Sequence, residues 1–176
     1  MSSEPAGFRE FVEARSGALL RTAWMLTGNA ATAEDLLQTA LARTWPHWNR
    51  ITDGGGHPEA YVRKVMVRLN ARRLSRRWNG ERPSDGLGLR PGLDPATERD
   101  DHGQIDDRIV LLEALATLPL RQRQAVVLRY FDDLSVDAVA EVMNSSTGTV
   151  KSQTAKGLAK LRAALGAKSL VGQEES

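Results

Sequence analysis

The stretch 146–162, STGTVKSQTAKGLAKLR, decides how this chain is read. Its first turns carry hydroxyl side chains and lysines, and its last turns are apolar at helical spacing. At 100° per residue, Val150, Thr154, Leu158, Leu161 and Leu165 fall on one side of a helix, and Thr149, Ser152, Lys156, Ala159 and Ala163 on the other. A helix that lies in a DNA groove needs this division. Its back is apolar, its front has hydroxyls and cations near the N-terminus, and small residues come where the groove wall approaches. The candidate DNA contacts are Thr147, Thr149, Lys151, Ser152, Lys156 and Lys160. Lys151, Lys160 and Arg162 flank the face as phosphate contacts. A plainer account makes the hydroxyls helix caps and the lysines partners of the helix dipole. Between Ser146 and Lys168 there is no acidic residue, whereas an ordinary solvated helix mixes signs. That favours DNA.

Working outward, Ser135 can cap a preceding helix whose inward residues are Val136, Val139, Ala140 and Met143. Asn144 stands where the turn requires a residue tolerant of positive φ, and Ala140 is small enough for a close helix crossing. The spacing predicts a helix-turn-helix. Upstream, IVLLEALATLP (109–119) and RQRQAVVLRYF (121–131) complete a module of short helices.

The N-terminal half has its own periodicity. Phe8, Phe11, Val12, Leu19, Leu20 and Trp24 return to one face of a helix that Gly28 and Asn29 end. TAEDLLQTALARTW (32–45) predicts a second helix, with Thr32 as cap, Asp35 closing a box-like N-terminus, and Leu36, Leu37, Ala40 and Leu41 as its apolar stripe. Pro46 turns the chain near WPHW (45–48), and NRITDGGGH (49–57) reads as a mobile loop. Pro58 opens a third helix to Trp78, with Tyr61, Val62, Val65, Met66 and Leu69 on its buried side. That helix also carries Arg63, Lys64, Arg68, Arg72, Arg73, Arg76 and Arg77 against Glu59 alone. Such density is self-repulsive unless a polyanion or acidic partner relieves it, although long basic stems can also cover their own apolar stripe. Trp45, Trp48 and Trp78 could stack on exposed bases, but aromatic residues at helix ends more often pack.

Between these halves, residues 79–104 are rich in Gly, Pro and Asp and lose the apolar period. The expected architecture is all-α, with a three-helix domain (1–78), a flexible acidic linker (79–104), a four-helix helix-turn-helix domain (105–166) and a short tail (167–176). A length of 176 residues and a hydrophobic share of 41% suit two small cores. The formal charge of +2 averages blocks of opposite sign.

Function classes can also be excluded. The chain has no cysteine, so disulfides, thiolate metal sites and cysteine nucleophiles are out. His47, His57 and His102 lie apart, and neither a zinc-protease nor a nucleophile-elbow motif occurs. GTVKS (148–152) fails as a phosphate loop because Val150 stands where glycine is required. No catalytic residue, cofactor or metal is expected. With no apolar run long enough to span a bilayer and no signal peptide, the chain is expected to be cytoplasmic, without a membrane partner.

Two motif sets in this order resemble the extracytoplasmic-function (group IV) sigma factors of bacterial RNA polymerase, and among them the actinobacterial sigma-E type. AEDLLQTALARTW with PEAYVRKVMVRLNARRLSRRW is similar to region 2. LPLRQRQAVVLRYFDDLSVDAVAEVMNSSTGTVKSQTAKGLAKLR is similar to region 4. The resemblance implies that the chain binds core RNA polymerase and directs promoter-specific initiation. Asp35, Leu36, Gln38 and Leu41 would meet the polymerase. NRITDGGGH would select a flipped base of the minus-10 element, and Arg63, Lys64, Arg68, Arg72, Arg73, Arg76 and Arg77 would hold the melted single strand. The helix of 146–162 would read the duplex minus-35 element. An anti-sigma factor is a further partner to look for. The linker acids Asp94, Glu98, Asp100, Asp101, Asp106 and Asp107 would either thread toward the polymerase cleft as a nucleic-acid mimic or act as a spacer.

There are departures from the family pattern. Arg68 stands where many relatives have Asn, Arg72 where they have Asp, and MNSS (143–146) replaces the more usual Leu-Gly-x-Ser turn. Lys156 stands where Arg is frequent, which points it to phosphate rather than guanine. A helix-turn-helix regulator that binds a palindrome unaided is the competing reading.

Overall fold

The computed structural model of the chain describes residues 4–78 and 102–174, and every regular element among them is helical. Helix α1, Phe8–Thr27, ends on Gly28, whose N–H returns to the Trp24 carbonyl at 2.7 Å. That reversal delivers Asn29 in an extended conformation, and its side chain accepts from the Thr32 N–H at 2.9 Å. Helix α2 therefore runs Ala30–Thr44, with Asn29 rather than Thr32 as its cap. Asp35 lies beyond the first turn and is exposed.

The expected loop at 49–57 is largely helix. After a 3-10 turn at Trp45–His47, helix α3 spans Trp48–Asp53. Trp48 anchors it: the indole N–H donates to the Ala6 carbonyl at 2.8 Å, and the ring meets Phe8 edge-on at 5.0 Å. Trp45 packs on Phe8 in the same way, so both rings belong to the packing at the base of the module. The turn itself is short. A Cβ on Gly56 would come within 2.8 Å of the Ile51 carbonyl oxygen, so the chain folds back on α3 only with glycine there. Helix α4, Pro58–Trp78, then crosses α1 and α2 over a core of Leu19, Ala23, Leu36, Leu37, Val62 and Met66.

The C-terminal module begins with α5, His102–Ala116. Helix α6, Leu120–Val126, widens into a π-helical turn at Val127–Phe131. Helix α7, Val136–Met143, is capped by Ser135, whose hydroxyl accepts from the Ala138 N–H at 3.1 Å. Asn144 takes the left-handed conformation at φ 50°, ψ 57°, as the turn chemistry predicts. Helix α8 spans Thr147–Glu174 and so continues through the residues read as a tail. The linker residues 79–101 lie outside the described residues, including Asp94, Glu98, Asp100 and Asp101.

Val150, Thr154 and Leu161 on the back of α8 are buried, and Leu158 and Leu165 are half-buried. They pack on a core of Leu115, Val126, Val127, Leu128, Val139 and Met143. The closest approach is at Gly157. A Cβ there would stand 2.7 Å from a Val126 methyl, 3.1 Å from the Gln122 carbonyl oxygen and 3.3 Å from Gln122 Cβ. Backbone cannot yield as a flexible side chain can. Gly157→Ala is therefore expected to destabilise the module by about 1–3 kcal/mol through overpacking, despite alanine's helix-propensity advantage of about 1 kcal/mol. Chemical denaturation monitored by circular dichroism checks this: an unchanged or raised midpoint would contradict the close crossing.

The modules are not independent in the structure. Leu26 of α1 and Val67 of α4 are buried in the core cluster of the C-terminal module. Val67 was absent from the expected buried stripe of α4 because that stripe serves the module's own core.

Candidate nucleic-acid interface

The front of α8 starts from its cap. The Ser146 hydroxyl accepts from the Thr149 N–H at 3.1 Å and donates to the Thr149 hydroxyl oxygen at 2.8 Å. One residue thus satisfies an orphan amide of the helix start and positions Thr149, whose own O–H is left to donate outward. The capping and DNA readings therefore share the same turn. Thr147, Thr149, Lys151, Ser152, Lys156, Ala159, Lys160, Arg162 and Ala163 are all exposed; at 100° per residue Thr149, Ser152, Lys156 and Lys160 share the front, whereas Thr147 and Lys151 lie toward the side of Thr154 and Leu158. The sequence did not flag Arg121, whose guanidinium donates to the Met143 carbonyl at 3.1 Å. A cation on the last carbonyls of α7 steadies the turn that aims α8.

Helix α4 presents a second basic surface. Arg68, Arg72, Arg76 and Arg77 are exposed, and the first three recur every fourth residue along one ridge. Arg73 is half-buried and donates to the Thr32 hydroxyl at 3.2 Å. Burial, followed by the nearby Arg77, pulls its pKa below the ordinary arginine value, a sign of a cation that lacks a full counter-charge. Lys64 is half-buried on the wall of a cavity of about 400 Å³. Arg63 is placed apart from the exposed set. It is buried, with Nη2 2.6 Å from Glu59 Oε1 and Nε 3.0 Å from Asp132 Oδ2. In this conformation it faces the C-terminal module.

Asp132 is a second residue that sequence reasoning missed. Its other oxygen accepts from the Thr22 hydroxyl at 2.5 Å. Burial pushes its carboxyl above the ordinary value, and the Thr22 hydroxyl and the Arg63 guanidinium offset only part of that. No local signal separates Asp132 from the exposed Asp133 beside it, because its partners are remote in sequence.

On α2, Asp35 and Gln38 are exposed, Leu41 is half-buried, and Leu36 belongs to the core. Of the residues expected to meet the polymerase, Leu36 supports the surface from beneath. Among the described residues no group of three or more His, Asp or Glu could hold a metal ion. Among them, too, no helix is long and apolar enough to cross a membrane.

Two family models match in the order the modules occur: sigma-70 region 2 over residues 11–80 and sigma-70 region 4 over residues 108–161. The chain is 40% identical over 163 residues to the RNA polymerase sigma-E factor of Streptomyces coelicolor, covering 93% of this chain and 88% of that protein. The chain belongs to the sigma-70 family. A further relative, the ECF RNA polymerase sigma factor SigL of Mycobacterium tuberculosis, is 30% identical over 155 residues, covering 86% of this chain and 85% of that one. Among solved structures, the sigma factor RpoE of Bartonella quintana, in complex with the anti-sigma factor NepR, shares the fold with a TM-score of 0.73. It does so at 23% identity, covering 90% of this chain and 96% of that one. CnrH in complex with the cytosolic domain of CnrY has a TM-score of 0.61 at 19% identity, covering 91% and 88%. The N-terminal module is region 2 and the C-terminal module region 4 of a sigma factor, which binds core RNA polymerase and directs it to promoters.

The cap at the start of the region 4 recognition helix is directly testable. Ser146→Ala is expected to lower stability by about 1 kcal/mol, the usual loss for a serine cap. Thermal unfolding followed by circular dichroism measures it, and no shift would mean that the Ser146 bonds do not persist in solution.

Proposed function

We propose that this sigma factor divides promoter recognition between the two basic surfaces. Region 4 lays α8 in the major groove of the minus-35 element, with Thr147, Thr149 and Ser152 toward base edges and Lys151, Lys156 and Lys160 toward phosphates. Region 2 takes the melted minus-10 strand on α4, through Lys64, Arg68, Arg72, Arg73, Arg76, Arg77 and, once its ion pairs open, Arg63. The turn at 54–57 with α3 lines the candidate base pocket. Unstacking a base costs a few kcal/mol, and phosphate neutralisation by the arginine ridge is one source of compensation.

The single observation that carries this reading is the open front of α8. Thr149, Ser152, Lys156 and Lys160 are exposed there, with no acidic residue on the helix from its start to Lys168, over a back whose Val150, Thr154 and Leu161 are buried. Asp35, Gln38 and Leu41 form the contact with core polymerase, supported by Leu36. The chain is not an enzyme: the polymerase does the chemistry, and the sigma factor needs no catalytic residue, cofactor or metal of its own. It works in the cytoplasm, where the polymerase is. The anti-sigma factor NepR bound to RpoE of Bartonella quintana supports an anti-sigma factor as a partner here too.

Run-off transcription with core polymerase tests the whole. The reconstituted holoenzyme should initiate from a promoter selected by mapping transcription starts. Failure to initiate, together with a footprint on a palindrome by the chain alone, would favour a stand-alone regulator. Within that assay, Ser152→Ala is expected to reduce minus-35 discrimination by about 1–3 kcal/mol. Lys151→Ala should lower affinity evenly across promoters and flatten the salt dependence. Equal losses on cognate and scrambled minus-35 sequences for both variants would refute the division of roles. Gln38→Ala should weaken competition for core polymerase against a second sigma factor while leaving promoter preference intact. A variant that competes as well as the parent removes Gln38 from the contact.

A further inference from the structure

The first turn of α8 fixes more than the stability of the helix. A hydroxyl can donate one hydrogen bond and accept two, so a free threonine facing DNA is indifferent to whether the base edge before it is a donor or an acceptor. Thr149 is not free in that sense. Its N–H reaches Ser146 Oγ at 3.1 Å, and the same oxygen lies 2.8 Å from Thr149 Oγ1. Ser146 Oγ is thus already an acceptor, and the amide bonded to it strengthens its own O–H as a donor. That hydrogen finds Thr149 Oγ1. The reverse assignment would aim two hydrogens of Thr149 at one oxygen and leave the Ser146 hydrogen without a protein acceptor.

The hydrogen of Thr149 has no inward partner either. Thr22, Thr27, Thr44 and Thr52 each donate the hydroxyl hydrogen to the carbonyl four residues back in their helix. Thr149 stands in the first turn of α8, where the residue four back, Ser145, precedes the helix. Its O–H therefore points outward, on the front shared with Ser152, Lys156 and Lys160. Ser146 and Thr149 are both exposed, and Gly148 between them puts no side chain over the pair.

From this geometry we infer that Ser146 sets Thr149 as an obligate hydrogen-bond donor, so that Thr149 selects a base whose major-groove edge offers an acceptor and rejects cytosine. The inference rests on the reading of α8 as the minus-35 helix with Thr149 toward base edges. Guanine offers N7 and O6, adenine N7 and thymine O4, whereas cytosine presents only its N4 amino group. A cytosine opposite Thr149 would set hydrogen against hydrogen and leave two desolvated donors unpaired. Ser146 is a positioning residue: it meets no base, yet it decides which edge Thr149 can pair with.

Binding of the reconstituted holoenzyme to promoter fragments that carry each of the four bases at each minus-35 position tests this. At one position the parent should bind the cytosine fragment about 3- to 10-fold more weakly than the best acceptor-bearing fragment, the worth of one hydrogen bond. Thr149→Val keeps the shape and loses the donor, and should remove that discrimination at that position alone. Ser146→Gly keeps a competent N-cap but has no hydroxyl, so Thr149 can turn its lone pairs outward. The cytosine penalty should then fall below about twofold. Ser146→Asp goes further, because its carboxylate accepts the Thr149 N–H and O–H together and reverses the outward face of Thr149. Cytosine should become the favoured base at that position by about twofold or more. The added negative charge acts on all four fragments alike and cancels in the ratio. Ser146→Thr, which keeps the hydroxyl, should behave as the parent. Unchanged competition for core polymerase reports that each variant is folded.

Cytosine tolerated at every position by the parent, or disfavoured equally by the parent and Thr149→Val, overturns the donor assignment. A loss in Thr149→Val that is the same for all four bases places the hydroxyl on a phosphate and overturns it likewise. A base profile of Ser146→Gly and Ser146→Asp identical to the parent's overturns the role of Ser146. A parent with no base preference anywhere in the minus-35 element strikes the assignment of α8 itself, whereas preferences that do not respond to Thr149 strike only the donor role.

Discussion

An aspartate buried between two helical modules sets the relation of everything else in this molecule. Asp132 lies at the end of the α6 segment, accepts from Thr22 of α1 and pairs with Arg63 of α4. Burial raises its pKa despite both partners, so the ion pair does not by itself compensate for removing the carboxylate from water. The apolar contacts of Leu26 and Val67 supply the attraction, and the charged cluster decides which orientation that attraction serves. Where the basic ridge of α4 faces, and what stands over the 54–57 turn, follow from that orientation.

Within region 4 a different constraint governs. Helix α8 can present a hydrophilic front only because its back is fixed against α6 at Gly157, where any side chain would strike Val126 and the Gln122 backbone. Asn144 supplies the left-handed turn, and Arg121 holds the end of α7. Each aims the same few exposed side chains. Region 2 is built differently. Its aromatic cluster of Phe8, Phe11, Trp45 and Trp48 closes the end of the module from which the α3 turn projects.

Much of this was legible in the sequence where the physics is local. The helix-turn-helix, the Ser135 cap, the Asn144 turn and the division of α8 into apolar back and polar front follow from period and turn chemistry alone. What escaped depends on partners far along the chain. Residues 49–53 look like loop until Trp48 is anchored on Ala6 and Phe8. Thr32 looks like a cap until Gly28 reverses the chain and presents Asn29 first. Leu36 was read both as part of the apolar stripe and as a polymerase contact, and the core of the module claims it. Val67 and Asp132 are unremarkable in their own windows, because the module that buries each is encoded elsewhere.

The π-helical turn at Val127–Phe131 has a further consequence. It is closed by the Asp132 N–H to the Val127 carbonyl at 3.1 Å, a ring one residue wider than that of an α-helix. Each residue advances a helix by about 100°. Removing one residue from this turn would rotate the Asp132 carboxylate by about a quarter-turn relative to the α6 residues that precede it, away from both its partners. The wide ring is therefore a phase setting: it fixes the direction in which Asp132 leaves the α6 segment toward Thr22 and Arg63.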